Sequence, residues 1–193
     1  DSIRMFSGKG NNGGDVFCTA RLLNEMGYQV DVWLAGRCSS ITGAALKHLD
    51  MMRLNGVDFH EISTPDGWKE MMALPIRGQG IIVDGGIGTG GSGPAHGVVA
   101  SAIQYINAIG DTGPIVSVDI PSGLDSDTGK ALGDVVIADI TVTLGMPKRG
   151  LVMPPALEFV GNLEVVDIGI PRGLSNAIMS DLDLITSDDL KGL

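Results

Sequence analysis

Residues 3–27 read IRMFSGKGNNGGDVFCTARLLNEMG. An apolar run, Ile3–Phe6, has the look of a buried strand, and Asp15–Met26 carries apolar residues at helical spacing (Val16, Phe17, Ala20, Leu23) before a stop at Gly27. Between them, Gly8–Gly13 fits the G-x-G-x-x-G spacing of a phosphate-binding turn. A phosphate turn needs a helix N-terminus free to hold an anion. Asp15, read as the helix start, places a carboxylate there, which favours capping but opposes a pyrophosphate. Asp31 lies at the right distance for a ribose-binding acid, yet Val32–Ala35 carry the second strand past it. Asn11, Asn12 and Asp15 offer carbonyl and carboxylate oxygens, which suit a hard cation or hydrogen bonds to hydroxyls and amides. The plain alternative is a glycine-rich turn capped by Asp15.

Outward from this unit, apolar runs and helical patterns alternate. Strands are predicted over 29–35, 57–62, 80–83, 114–118 and 138–144, and helices over 43–54, 65–74 and 94–109, with a last extended stretch over 159–168. Such alternation predicts an α/β domain, a Rossmann-like three-layer α/β/α sandwich with a mainly parallel sheet. The 193 residues suit one domain with a full core, and a mean hydropathy of +0.24 opposes disorder. Residues 1–174 are read as that domain and 175–193 as a polar, acidic tail or linker.

A net charge of −10 gives a nucleic-acid role no electrostatic support. No apolar run approaches membrane-spanning length, so no membrane role is expected. Cys18 and Cys38 form no framework, Cys18 reads as a buried thiol, and a reducing, cytoplasmic setting follows. The chain opens on a polar dipeptide and a strand, with no signal peptide, and this abrupt start is that of a chain lacking a natural N-terminal piece.

Ligands of such a sheet bind beyond the carboxyl ends of its strands. The residues there are GKGNNGGD, DGGIGTGGSGP (84–94), DIPSGLDSDTG (119–129) and GMPKRG (145–150). The second repeats G-x-G-x-x-G as Gly88-Thr89-Gly90-Gly91-Ser92-Gly93, and the helix predicted to begin at Pro94 has no acid in its first turn. It is therefore the better phosphate cradle of the two. Asp84 and Asp119 end strands, Ser122 offers a hydroxyl, and Lys148 is the nearest cation to this edge. Asp125 and Asp127 read as loop residues, with an Asp-x-Asp cation site as the alternative. His48, His60 and His96 share no metal-ligand spacing.

The ordered set GKGNNGGD, D-x-x-x-GTG-x-x-GP, VDIPSGLD, a strand leading to PK-x-G, and VGNLEVVDIGIP resembles the YjeF N-terminal family, the NAD(P)H-hydrate epimerases. The resemblance runs from about Ile3 to Pro171, and the set is specific where each motif alone is not. It implies an isomerase that interconverts the R and S forms of NADH or NADPH hydrated at C6 of the nicotinamide ring, in repair of damaged cofactor. An S-specific dehydratase is the implied pathway partner. The resemblance further implies a potassium ion near Asn12, Asp84 and Ser122, and hydrate contacts from Asn11, Asn12, Gly13, Gly14 and Asp15, from Gly88, Thr89, Gly90, Gly91, Ser92, Gly93 and Pro94, and from Asp119. The C6 hemiaminal inverts only if a proton acceptor and donor stand beside it. Asp119 is the candidate acceptor and Lys148 its candidate partner.

Two features depart from the family pattern. The helical segment that usually precedes the first strand, and helps form the family's dimer, is absent here, and Val16 stands where a small residue is common and crowds the loop. A non-catalytic binding or scaffold module of the same fold is the main competing reading, and the presence of Asn12, Asp84, Asp119 and Ser122 favours the enzyme over it. An ordinary NAD(P)-dependent oxidoreductase fits less well, because of Asp15 and the lack of a separate catalytic module. The tail ITSDDL (185–190) resembles the link of bifunctional members that carry the dehydratase as well.

Overall fold

The computed structural model describes residues 2–74, 79–86 and 93–175. Its elements run β1 (Ser2–Ser7), α1 (Asn11–Glu25), β2 (Gln29–Ala35), α2 (Gly43–Leu54), β3 (Asp58–Ile62), α3 (Pro65–Ala73), β4 (Gly80–Gly85), α4 (Val98–Ala108), β5 (Ile115–Val118), β6 (Ile140–Leu144), α5 (Arg149–Val152), α6 (Leu157–Val160), β7 (Asn162–Val166) and α7 (Arg172–Ser175). Among the described residues the seven strands form one sheet in the order β3-β2-β1-β4-β5-β6-β7, and every pairing is parallel. The strand order reverses between β1 and β4, which opens a crevice at their carboxyl ends.

Helices cover both faces because the strands are apolar on both. Val16, Phe17 and Ala20 of α1 and Ala45, Leu49 and Met52 of α2 pack with Ile3, Met5, Val30, Val32 and Leu34. On the other face, Trp68 of α3 and Ala102, Ile103, Tyr105 and Ile106 of α4 meet Phe6 and Ile82. Phe6 stands edge-on to Tyr105, with ring centroids 5.9 Å apart, and lies 6.0 Å from Trp68. Each buried Val, Leu, Ile, Met or Phe among them contributes roughly 1.5–3 kcal/mol. A third cluster, with Ile120, Leu124, Val135 and Leu151, anchors the long connection from β5 to β6.

Two helix starts differ from the sequence reading. Helix α1 begins at Asn11, so Asp15 lies in its second turn and no acid occupies the first. Close approach explains why glycines fill those first positions: a Cβ on Gly13 would sit 2.0 Å from the Gly8 carbonyl oxygen. Sterics at the end of β1 thus outweigh the roughly 1 kcal/mol that each glycine costs inside a helix. Conversely, α4 begins at Val98 and not at Pro94, because Gly97 at φ 57° breaks the helical path. Pro94 is exposed and stands beside Gly133. Residues 162–166 alone form the last strand, since Leu157–Val160 close a short helix before it. Val16 turns inward beside Gly85 and is fully buried, so it does not crowd the loop. Cys18 is half-buried rather than buried. No described helix is long and apolar enough to cross a membrane.

Candidate active site

Four strand ends supply the site. Asp84 sits near the end of β4, level with Phe6 of β1 and Ser117 of β5. Its side chain is fully buried, as are those of Ser117 and Ser122. One carboxylate oxygen, Oδ2, accepts from the Ser117 hydroxyl at 2.8 Å and from the Ser122 amide at 2.8 Å, while Oδ1 accepts from the Ser122 hydroxyl at 2.5 Å. Among the described residues no Lys, Arg or His pairs with it. Burial therefore pushes the Asp84 carboxyl above the ordinary range, against the pull of the Ser122 hydroxyl, the Ser122 amide and the Ser117 hydroxyl.

Asn12 spans the crevice. Its Nδ2 donates to the Val118 carbonyl at 2.8 Å, tying the first turn of α1 to the end of β5. Its Oδ1 is buried and accepts from no donor among the described residues. Gly86, which directly follows β4, lies against Asn12 at φ 65°, and a Cβ there would come within 2.5 Å of the Asn12 Cβ. A buried carbonyl oxygen left without a partner costs about 1–3 kcal/mol, so this atom stands ready for a ligand. Asn12 Oδ1 and the Asp84 carboxyl are oxygen donors of the kind a hard cation takes.

Asp119 lies one strand over and lives in a different setting. It follows β5 with φ 70°, a left-handed conformation that costs a residue with a Cβ roughly 1–2 kcal/mol. Its amide donates to the Val142 carbonyl at 2.7 Å, which holds that turn against β6. The turn brings the carboxylate over the end of β6, where Oδ1 pairs with Lys148 Nζ and accepts from the Leu144 amide at 3.1 Å and the Thr143 hydroxyl at 3.4 Å. Oδ2 takes no hydrogen bond from the described residues, and the side chain keeps 27% of its exposure. Lys148 occupies the N-cap position of α5, and its ammonium donates further to Thr143 Oγ1 at 3.1 Å and the Leu144 carbonyl at 3.2 Å. Asp15 faces this pair from α1: although the residue as a whole is exposed, desolvation of its carboxyl, and next the Asp119 charge, hold it above the ordinary range, with His48 opposing.

The structure thus joins Asp84 to Ser117 and Ser122, Asp119 to Lys148, and Asn12 to the end of β5. Asn11 stands exposed at the first helical position, and Gly13 and Gly14 are buried beneath it. Gly93 and Pro94 are exposed; Gly88, Thr89, Gly90, Gly91 and Ser92 lie outside the described residues. Neither α1, with Gly10 as N-cap, nor α4, with Gly97 as N-cap, carries a side-chain cap. Asp125 spends Oδ1 on Thr128 and the Asp127 amide in a local turn, and no three described acidic, His or Cys side chains form a metal cluster. Sequence reasoning missed Ser117 and Thr143, two fully buried hydroxyls whose only sequence signal is a polar residue inside an apolar strand.

The family model described as YjeF-related protein N-terminus matches residues 1–150. A bifunctional NAD(P)H-hydrate repair enzyme of Moorella thermoacetica is 39% identical over 173 residues, covering 89% of this chain and 32% of that protein. An NAD(P)H-hydrate epimerase of Lentilactobacillus buchneri is 35% identical over 172 residues, covering 89% of this chain and 74% of that protein. The chain therefore spans about a third of the length of the bifunctional relatives. The crystal structure of yeast YNL200c superposes with a TM-score of 0.71 at 23% identity, over 98% of this chain and 76% of that one, and shares the fold. By its family match and its curated relatives, the chain belongs to the YjeF-related N-terminal family.

Proposed function

We propose that the protein is an NAD(P)H-hydrate epimerase, interconverting the R and S forms of hydrated NADH and NADPH. The observation that carries this reading is the half-buried Asp119–Lys148 pair, which leaves one carboxylate oxygen unbonded at the sheet's switch-point crevice. The name of the Lentilactobacillus relative supports it.

The substrate carbon bears both a hydroxyl and the ring nitrogen. Asp119 takes the hydroxyl proton; the C6–N1 bond breaks, its electrons go to nitrogen, and an aldehyde forms. Rotation and attack of the nitrogen on the other carbonyl face re-form the bond, and Asp119 returns the proton. Loss and re-addition of water at C6 is the alternative path and makes the same demand on Asp119. The Lys148 ammonium holds the Asp119 carboxylate by its Oδ1 and leaves Oδ2 toward the substrate. Asn11–Asp15 and the segment from Gly88 to Pro94 hold the rest of the hydrate, with the second of these as the phosphate cradle.

Potassium fits the neighbouring oxygens. Asn12 Oδ1, orphaned and buried, together with Asp84 and the Ser122 hydroxyl, would hold it. The ion supplies positive charge to steady negative oxygens in the site. We take 1–174 as the epimerase domain and 175–193 as a linker, with the S-specific dehydratase acting next in the pathway, fused as in the bifunctional relatives or separate. The two unpaired cysteines favour a cytoplasmic setting, and the homodimer implied by the family resemblance is part of the same proposal.

The test mixes pure R-hydrate with this protein and a separate S-specific dehydratase and follows return of the reduced cofactor's absorbance. Recovery faster than the spontaneous rate, and lost in Asp119→Asn, supports the reading. Recovery at the spontaneous rate with folded protein refutes it.

A further inference from the structure

We propose that Thr143 is a positioning residue that sets the Asp119–Lys148 pair and leaves Asp119 Oδ2 as the atom that takes the proton; the inference rests on the epimerase reading. The hydrogen-bond inventory of the pair leads there. An ammonium has three donors. Those of Lys148 are all spent inside the protein, on Asp119 Oδ1, Thr143 Oγ1 and the Leu144 carbonyl. Lys148 therefore has no N–H left for substrate and acts through Asp119. On the carboxylate, all three protein donors converge on Oδ1. The division is one-sided: Oδ1 is a structural anchor and Oδ2 is the reactive oxygen.

Thr143 is the residue that touches both partners. Its hydroxyl accepts from Lys148 and donates to Asp119, so a single oxygen fixes the ammonium and the carboxylate at once. It is fully buried, and so is Thr141, two residues earlier on the same face of β6. Thr141 settles its hydroxyl on the Val160 carbonyl at 2.7 Å, an ordinary structural bond. Thr143 makes no such bond: both of its hydrogen bonds go to the ion pair. Register explains the placement. Val118 of β5 pairs with Val142 of β6, so the left-handed turn at Asp119 swings its side chain toward the next residue of β6, which is Thr143.

The experiment compares wild type, Thr143→Val and Thr143→Ser by two readouts. One is titration of the Asp119 carboxyl by carbon NMR, which needs no substrate; the other is kcat and KM for R-hydrate in the coupled assay. Thr143→Val keeps the side-chain shape and deletes the donor. Its Asp119 is expected to titrate higher than in wild type, since an ionised carboxylate loses a hydrogen bond. Its kcat is expected to fall about tenfold with KM within about twofold, the scale of one hydrogen bond to a charged group. Thr143→Ser restores both. Should Thr143→Val fail to fold, Thr143→Ala makes the same deletion in a smaller side chain. An unchanged Asp119 titration and kcat in the deletion variant overturns the proposal, as does a Thr143→Ser variant as impaired as Thr143→Val. A shifted titration in a wild-type background that shows no epimerisation supports the positioning and refutes the reaction instead, so the two failures are told apart.

Discussion

Asp84 and Asp119 stand at the carboxyl ends of neighbouring strands, each after an apolar run, and the chain treats them oppositely. Asp84 is sealed, held by two hydroxyls and one amide, and meets no cation among the described residues. Asp119 is half-open, paired with an ammonium and left with a bare oxygen. The same functional group in the same topological place thus meets two environments. A carboxylate that is buried, hydrogen-bonded and uncompensated calls for a positive ion. One that is paired with a lysine and partly open to the crevice is placed to accept a proton.

The largest effect should come from removing the open carboxylate. Asp119→Asn is expected to lower kcat/KM by about 10²–10⁴-fold, the usual worth of a positioned acid–base group, with folding intact by circular dichroism. Lys148→Met is expected to lower kcat by about 10–100-fold, because it removes a charged hydrogen bond worth roughly 1.5–3 kcal/mol.

The sealed carboxylate should show itself in stability against pH. Burial raises the folded-state value of Asp84 above its unfolded value of 3.8. The folded protein therefore binds the proton more tightly, so the stability Asp84 contributes is present below about that unfolded value and is lost as pH rises through the raised folded value. In potassium-free buffer, the denaturation midpoint of wild type relative to Asp84→Asn is expected to fall as pH rises, and potassium at neutral pH is expected to restore it. A flat difference with pH and no response to potassium would break the contrast drawn between the two acids. The smallest effect belongs to Asn12→Ala. It removes the orphan oxygen and the bond to Val118, and is expected to raise the potassium concentration needed for half-maximal thermal stabilisation, read by calorimetry in potassium against tetramethylammonium chloride.

Much of this contrast was legible in the sequence. Apolar runs ending in aspartate marked β4 and β5, and the strand–helix alternation marked the layers, because a parallel sheet buried on both faces leaves continuous apolar stretches. Asn12, Asp84, Asp119, Ser122 and Lys148 stand out in the sequence as polar residues in the segments that follow or end the strands. The helix boundaries were not legible at the glycines. Asn11–Gly14 reads as a turn by propensity, yet close packing against Gly8 and Ala45 makes it helix, and this moved Asp15 out of the first turn. Pro94 reads as a helix start, but the positive φ of Gly97 depends on the fold and has no local signature. Ser117 and Thr143 were missed because a hydroxyl within a strand looks the same whether it bonds a carbonyl, as Thr141 does, or a charged pair.

The most direct measurement is a potassium titration of R-hydrate epimerisation and of melting temperature, run in parallel on wild type, Asp119→Asn and Asp84→Asn. Asp119→Asn should lose the rate at every potassium concentration yet keep the potassium-dependent rise in melting temperature, while Asp84→Asn should lose that rise. An Asp119→Asn protein that epimerises at the wild-type rate, or an Asp84→Asn protein that responds to potassium as wild type does, would contradict the assignment of the two carboxylates.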